Sequence, residues 1–368
     1  MKQLIKQQIH KWRDAGRRIL GRWLFDRPLR TESACQLPQC RRILLIRWDA
    51  KMGDAIVSSF LFRELRKANP ALSIEVITTD AMAALFQEQW HPDRLYRCSK
   101  RAGYKELAQL AAEIGSVDLV VHFSKRFKMK DLYFIRRLAP QHLAGLDDEL
   151  ACVDIKLGQA CQQLHFADKF ASLLQHCGLS GVDSRYWLPS QESSEQAVRA
   201  VWPTEFASVI AINPFGAGRA RKLDMDSINR LITLVFKAAP GCGVCLLYSP
   251  NERELAQQVV KDFRGQGVFI YDHSKSIYDV IAQIRAADGL ISVDTATVHI
   301  ASALQRPLLG LYNPGAENYT DWGPNNAKSI TIFSTDPYNI NKISWSNLEA
   351  ALPRFIEKMK SDENNAEG

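Results

Sequence analysis

The sequence lacks any long hydrophobic run, since no uninterrupted apolar stretch approaches the roughly 18 residues that a membrane-spanning helix needs. It also lacks a secretory leader, because its first residues return repeatedly to lysine and arginine and no apolar block with a cleavage site follows them. These absences argue against a transmembrane or secreted protein. We therefore expect the chain to stay in the cytoplasm.

Motifs of several enzyme classes are absent as well. The chain has no Walker phosphate loop, no H-E-x-x-H and no G-x-S-x-G. Its nearest approach to a dinucleotide fingerprint, Gly216 to Arg221, lacks the third glycine, and no acidic residue follows at the required place. A nicotinamide oxidoreductase is therefore disfavoured.

The cysteines are scattered, and only Cys242 and Cys245 form a C-x-x-C pair. This pair lies in a segment typical of a buried strand, and no second Cys or His pair accompanies it. Buried reduced thiols are favoured over a zinc site.

At 368 residues, with 46% hydrophobic residues, the chain is long enough for two globular domains. Its net charge of +7 favours an anionic partner. The excess is concentrated near the start, where only Asp14 and Asp26 oppose the basic residues. Those basic residues are Lys2, Lys6, Lys11, Arg13, Arg17, Arg18, Arg22, Arg27 and Arg30.

Residues 1–25 have the pattern of a basic amphipathic helix. The apolar residues at helical spacing are Ile5, Ile9, Trp12, Leu20, Trp23 and Leu24. Such a helix can lie on an anionic membrane surface; packing on the protein's own surface and a disordered arm are the alternatives. No RNA-binding motif or DNA-reading helix follows it, so we predict no nucleic-acid partner.

Strands and helices alternate in both halves, which predicts parallel sheets covered on both faces. Strands are predicted at 42–48, 74–78, 118–123, 208–213, 243–249, 268–271, 289–293 and 308–312. Helices are predicted at 55–68, 81–87, 105–114, 162–177, 226–238 and 277–286, and from 346 to 360. The polar stretch 181–205 is interpreted as an interdomain connection, and 361–368 as a disordered tail.

This alternation predicts two Rossmann-like, doubly wound domains facing a central cleft. We divide the chain into a basic N-terminal extension (1–40), an N-terminal domain (41–185), a C-terminal domain (186–345), and a final helix with its tail (346–368). Ligands of such sheets bind beyond the carboxyl ends of the strands.

Candidate site residues follow these strand ends. In the first half, Gly53 and Asp54 follow a strand; in the second, Asn213 ends one. Arg219, Arg221 and Lys222 supply cations, and Glu252 could accept hydrogen bonds from ribose hydroxyls. The segment 294–299 could cap a helix with Asp294 and hold a phosphate on its amide groups, with His299 one turn further.

A basic run lies in the first half, between 125 and 137. It includes Lys125, Arg126, Lys128 and Lys130. It can be a solvated helix face or the wall of a cleft that accepts an anionic substrate.

From about residue 42 to 325, the chain resembles the ADP-heptose:lipopolysaccharide heptosyltransferases of glycosyltransferase family 9. The matching motifs are Arg47-Trp48-Asp49 with Gly53-Asp54, Asn213-Pro214 with Lys222, Ser292-Val293-Asp294-Thr295 with His299, Arg306-Pro307, and Tyr312-x-Pro314. Their order and spacing carry the resemblance.

The resemblance implies a GT-B fold, with the acceptor on the N-terminal domain and the ADP-sugar on the C-terminal domain. It implies an inverting transfer without a metal or cofactor. Asp54 would be the general base, and Lys222 would neutralise the departing ADP. The remaining donor residues would be Asn213, Glu252, Asp294, Thr295, Ala296 and His299; the acceptor residues would be Gly53, Lys125, Arg126, Lys128 and Lys130.

Simpler interpretations stay open at single positions. Asp54 could only cap a helix, Arg219 or Arg221 could replace Lys222, and Glu252 could only favour a helix start. We expect a peripheral enzyme on the cytoplasmic face of the inner membrane, which transfers heptose from ADP-heptose to a lipid A-core acceptor. The alternatives are a GT-B transferase with another nucleotide sugar and a non-catalytic binder of lipopolysaccharide or nucleotide.

Overall fold

A computed structural model describes the backbone of residues 2–31 and 33–366 and the side chains of residues 12–31 and 33–360. The chain divides into two compact units, Met1–Arg185 and Tyr186–Gly368. Each unit contains one six-stranded sheet in which all neighbouring strands are parallel.

The first unit has six strands and seven helices within the described backbone. The strands are β1 (Arg42–Arg47), β2 (Ser73–Thr78), β3 (Arg94–Arg97), β4 (Leu119–His122), β5 (His142–Gly145) and β6 (Ile155–Lys156). The helices are α1 (Lys2–Phe25), α2 (Met52–Val57), α3 (Phe60–Ala68), α4 (Asp80–Leu85), α5 (Tyr104–Ile114), α6 (Met129–Leu138) and α7 (Phe166–His176).

The second unit repeats this scheme in the described part of the chain. Its strands are β7 (Val209–Asn213), β8 (Gly243–Leu246), β9 (Val268–Phe269), β10 (Gly289–Val293), β11 (Leu308–Tyr312) and β12 (Ser329–Phe333). Its helices are α8 (Glu192–Val201), α9 (Met225–Ala238), α10 (Arg253–Asp262), α11 (Ile277–Ala286), α12 (Ala296–Ala303), α13 (Ala316–Trp322) and α14 (Trp345–Ala366).

In each sheet, the strand that comes first in the chain lies at the centre. The first sheet runs β3-β2-β1-β4-β5-β6, and the second runs β12-β11-β10-β7-β8-β9. In each sheet the crossovers reverse direction between two central strands, β1 and β4 in the first and β7 and β10 in the second. Loops at the carboxyl ends of these strands diverge, which opens a crevice for ligands.

The central strands are largely apolar because helices cover both faces of the sheet. All residues of β7, β10 and β11 are buried, as are all but the first of β1. The cysteines are all free and buried, which confirms the interpretation of reduced thiols. No described helix is long and apolar enough to cross a membrane.

Several predicted elements need correction. The helix predicted at 55–68 is two helices, because the hydroxyls of Ser58 and Ser59 bond to preceding carbonyl groups and interrupt it. The connection predicted at 181–205 contains α8, whose Val198 packs with Tyr271 and Ala282.

The C-terminal segment also differs from the prediction. The tail expected to be disordered continues α14 as far as Ala366, and residues 367 and 368 lie outside the described chain. Leu352 and Phe355 of α14 belong to the core of the second unit.

A tight hairpin between Phe215 and Lys222 follows β7 and depends on a glycine. A Cβ atom built on Gly216 would lie 2.3 Å from the carbonyl oxygen of Arg221. That oxygen belongs to the main chain, so it cannot move aside without opening the hairpin.

Replacing Gly216 with alanine should therefore lower the free energy of unfolding by about 1–3 kcal/mol, as overpacking does elsewhere. Urea unfolding of the full chain measures the change. Gly315→Ala is the matched control, since a Cβ there meets nothing within 4 Å. Equal stability of the two variants would contradict the steric argument.

Candidate active site

The crevice of the first unit is bounded by the loops that follow β1 and β4. These strands are direct neighbours, with Leu45 paired to Val121. Trp48, just after β1, makes edge-to-face ring contacts with His122 at the end of β4 and with Phe134 of α6, each with centroids 5.5 Å apart. The tryptophan thus packs the loop after β1 against the end of β4 and against α6.

Asp54 lies in the first turn of α2, with 16% of its side chain exposed. The cap position of this helix is Lys51, so Asp54 is not the cap. Burial raises the pKa of Asp54 above its ordinary value of 3.8; the neighbouring Arg47 and Lys51 lower it, and Asp49 raises it. The result is a carboxylate more basic than in water, as a general base requires.

Arg47 is the last residue of β1 and is only 9% exposed. Its Nε and Nη2 atoms are buried and have no hydrogen-bond partner among the described residues. Its ion pair with Asp49 Oδ2 measures 3.7 Å. Because a buried cation is costly without compensation, Arg47 favours the ionised form of the Asp54 carboxylate and lowers its pKa.

The loop between β1 and α2 contains a strained residue. Ala50 has a φ of 55°, in the left-handed region that a residue with a Cβ seldom adopts. Gly53, predicted to contact the acceptor, is half-buried beside Asp54 in the first turn of α2. Strain of this kind is concentrated at functional sites.

The predicted acceptor cations lie in the loop after β4 and at the start of α6. Lys125, Arg126 and Lys128 are exposed there, whereas Lys130 is half-buried. The ammonium of Lys130 donates a hydrogen bond to the carbonyl of Ala102 and lies 5.7 Å from the ring centroid of Tyr104. Lys130 therefore has a structural contact that its sequence context did not indicate.

Asn213 connects the two central loops of the second unit. Its Nδ2 donates to the hydroxyl oxygens of Thr295, at 3.0 Å, and of Thr297, at 2.9 Å. Because Asn213 ends β7 and the two threonines follow β10, this amide joins both sides of the crevice.

Two ion pairs lie at these strand ends. Arg221 Nη1 is 3.1 Å from Asp294 Oδ2, and Lys222 Nζ is 3.4 Å from Glu252 Oε1. The hydroxyl of Ser249 donates to the same Glu252 carboxylate. The carboxylates are the more buried partners, with exposed side-chain fractions of 13% for Asp294 and 19% for Glu252.

The start of α12 differs from the prediction. Asp294 was expected to cap it, but Thr295 is the capping residue and its hydroxyl accepts from Thr297 N. Asp294 precedes the cap, and its carboxylate pairs with Arg221 instead. Ala296 begins the helix, while His299 is buried one turn further, with its ring 6.3 Å from that of Trp322.

Sequence reasoning missed the role of Arg221 as the partner of Asp294 and the burial of Arg47. A charged residue at the end of an otherwise apolar strand is a signal that would have singled out Arg47. No sequence signal separates Arg221 from Arg219. Among the residues with described side chains, no group of three or more His, Cys, Asp or Glu lies together in a way that could hold a metal ion.

Residues 118–350 match the model of glycosyltransferase family 9 (heptosyltransferase). Because this match covers more than half of the chain, the protein belongs to glycosyltransferase family 9, and it is a glycosyltransferase. The resemblance drawn from its motifs is thereby confirmed.

Individual relatives agree with the family. A protein of Escherichia coli K12 with the provisional name lipopolysaccharide heptosyltransferase 4 is 23% identical over 330 residues, which are 86% of this chain and 88% of the relative. Two solved structures are similar, each at 17% identity over 88% of this chain and 99% of the other: a family 9 glycosyltransferase from Veillonella parvula (TM-score 0.66) and the E. coli ADP-heptose lps heptosyltransferase II (TM-score 0.65). The predicted GT-B fold class is confirmed.

The raised pKa of Asp54 predicts that Asp54→Asn stabilises the protein at neutral pH. Between the unfolded and folded pKa values the folded state binds more protons, so stability falls as pH rises through that interval. Each unit of difference corresponds to about 1.4 kcal/mol.

Chemical denaturation of both proteins at several pH values tests this. The advantage of Asp54→Asn should be complete above the folded pKa and should vanish below the ordinary value of 3.8. A variant less stable than the wild type at pH 7 would show that Asp54 serves the fold rather than a reaction.

Proposed function

We propose that this glycosyltransferase moves heptose from ADP-heptose to the inner core of lipopolysaccharide, by an inverting transfer that uses neither metal nor cofactor. The proposal rests on two ion pairs at the crevice of the second unit, Lys222–Glu252 and Arg221–Asp294. They offer both the cations that a diphosphate needs and the carboxylates that sugar hydroxyls need.

The donor is assigned to the second unit. Lys222 neutralises the pyrophosphate, since 36% of its side chain is exposed and the 3.4 Å between its Nζ and Glu252 Oε1 is long for a hydrogen bond. The amide groups at Thr295 and Ala296 face the same phosphates at the start of α12. Glu252 accepts from the ribose hydroxyls and Asp294 from the heptose hydroxyls.

Two further residues complete this donor site. Asn213 keeps the loops after β7 and β10 in register through its two threonine contacts. We assign His299 to the donor site as well. Because it is buried, it supports the start of α12, where the phosphates bind, and is not itself exposed to solvent.

The acceptor is assigned to the first unit. Lys125, Arg126, Lys128 and Lys130 contribute positive charge for acidic groups of the core, and Lys130 does so from a position fixed by Ala102. Gly53 leaves room beside Asp54 for the sugar that carries the reacting hydroxyl.

The chemical step is a displacement at the anomeric carbon. The Asp54 carboxylate takes the proton of an acceptor hydroxyl while its oxygen forms the new bond to that carbon. The bond to ADP breaks on the opposite side, the configuration inverts, and the electron pair leaves with the diphosphate. Lys222 stabilises the charge that develops there, which is the kind of interaction that contributes most to enzymatic rate.

Release of ADP from ADP-heptose, with heptose-deficient lipopolysaccharide cores and EDTA present, tests the reaction. Asp54→Asn should lower kcat by about 10²–10⁴-fold, the usual contribution of a general base. Lys222→Met should lower kcat by roughly 10²–10³-fold, while Lys237→Met, in a surface ion pair of the same unit, should leave it unchanged.

The other outcomes separate the alternatives. Turnover only with a UDP- or GDP-sugar would indicate a transferase with a different donor. Thermal protection by nucleotides without turnover on any core would indicate a non-catalytic binding protein, because a bound ligand stabilises the fold regardless of chemistry.

We also propose that α1 attaches the enzyme to the anionic cytoplasmic face of the inner membrane. Trp12, Ile19 and Trp23 share one side of this helix, and they are 78%, 70% and 71% exposed. Ile5 and Ile9, also expected on the apolar side, lie outside the described side chains. Arg13 and Arg17 of the same helix are exposed, and exposed cations beside an apolar stripe are typical of helices that lie at an interface.

Replacing Trp12 and Trp23 together with serine should weaken binding to vesicles by tenfold or more, since each removes a large apolar surface. Sedimentation with phosphatidylglycerol vesicles measures this, and phosphatidylcholine vesicles report the electrostatic share. Trp187→Ser, at a partly exposed tryptophan of the second unit, is the control. Unchanged binding of the double variant would exclude α1 as the membrane contact.

A further inference from the structure

Arg18 attaches α1 to the first unit through a buried ion pair. Only 7% of Arg18 and 4% of Asp147 is exposed. Both terminal nitrogens of the guanidinium donate to the Asp147 carboxylate, at 2.5 and 2.9 Å. This two-pronged geometry fixes orientation as well as distance.

The same pair holds the backbone of Phe127. Asp147 Oδ2 accepts from the Phe127 N–H at 2.8 Å, and Arg18 Nη1 donates to the Phe127 carbonyl oxygen at 3.1 Å. Phe127 lies between Arg126 and Lys128 in what we call the cationic loop, residues 125–130, which comprises part of the loop after β4 and the first residues of α6. Both polar groups of the Phe127 backbone are therefore bound by the Arg18–Asp147 pair.

Further contacts keep α1 in place beside α6. A Cβ atom on Gly21 would lie 2.9 Å from Met129 Cα, so the two helices approach more closely than any other residue would allow. The Phe25 ring meets that of Tyr133 edge to face, with centroids 5.3 Å apart.

Further hydrogen bonds join this part of the chain to the loop after β5, which also contains Asp147. Arg22 donates to the main-chain carbonyl of Glu149 at 2.9 Å, and Asp26 accepts from the amide of Cys152 at 2.8 Å. The position of α1 is thereby specified over two turns.

The two sides of α1 have opposite roles. Arg18 and Gly21 face the protein, whereas Trp12, Ile19 and Trp23 face outward. A membrane anchor alone would need only apolar contacts with its own protein, and a buried ion pair is a costly way to supply adhesion. Its value lies in defining one geometry.

We propose that Arg18 and Asp147 are positioning residues that fix the cationic loop 125–130 relative to the membrane-facing side of α1. This inference rests on the proposed function, because it concerns an acceptor held at a membrane surface. The pair sets the place at which the loop meets acidic groups of that acceptor, and it acts through Phe127 rather than by touching substrate.

Three measurements on full-length Arg18→Met test the proposal. Hydrogen exchange at the Phe127 amide should accelerate by at least tenfold. With a deacylated, soluble core acceptor, KM should rise at least fivefold while kcat stays within twofold. Binding to phosphatidylglycerol vesicles should remain within threefold of the wild type.

The Trp12→Ser/Trp23→Ser variant provides the opposite pattern. It should lose vesicle binding and retain both the exchange rate at Phe127 and the KM for the soluble acceptor. If Arg18→Met fails to fold, Arg18→Lys replaces it, since lysine keeps the charge and loses the two-pronged contact; its exchange rate and KM should change in the same direction.

Unchanged exchange at Phe127 and unchanged KM in the arginine variants would overturn the proposal and leave α1 as an anchor only. Faster exchange with unchanged KM would also overturn it, because the loop would then be ordered without serving the acceptor. If the wild type transfers no heptose, the proposed function fails. Hydrogen exchange at Phe127 still tests the pair separately, because an unchanged rate in Arg18→Met would refute its role in ordering the loop.

Discussion

The reversal of crossover direction at the centre of each sheet is the constraint on which the candidate site depends. Between β1 and β4, and again between β7 and β10, consecutive connections leave toward opposite sides of the sheet. The loops at those carboxyl ends cannot pack over the crevice that they border. Asp54 and Asp294 follow central strands and Asn213 ends one, so the topology alone brings chemistry-bearing residues to these two positions.

Charge at these positions is balanced locally within each unit. Arg221 and Lys222 each have a carboxylate partner, so their cations do not depend on a ligand for compensation. Arg47 is different, because two of its buried nitrogens have no hydrogen-bond partner in the described part of the chain and its ion pair with Asp49 is 3.7 Å long. That contrast suits the two roles we propose: an exchangeable partner for a diphosphate in one unit, and a fixed electrostatic influence on Asp54 in the other.

The sequence indicates the central strands and the residues after them, because buried parallel strands are continuous apolar runs that end in polar loops. It does not indicate partners that depend on packing. Thr295 rather than Asp294 caps α12, since Asp294 is held by an arginine in a hairpin that is distant in sequence. The edge strand β12 is also missed, because it is only partly buried and lacks a fully apolar pattern.

Helix α1 shows why an amphipathic pattern is insufficient by itself. Arg17 and Arg18 are adjacent in one basic run, yet they have different environments. Arg17 is exposed, whereas Arg18 is buried and forms an ion pair with Asp147. The apolar stripe by itself is compatible with contact to a membrane or to the protein's own surface. The position of Gly21 against Met129 shows which side of α1 packs on the protein. Since the glycine side is inward, the tryptophan side is left for an external surface. Among the described side chains, Arg18 lies on the inward side because Asp147 pairs with it there, whereas Arg17 lies on the exposed side.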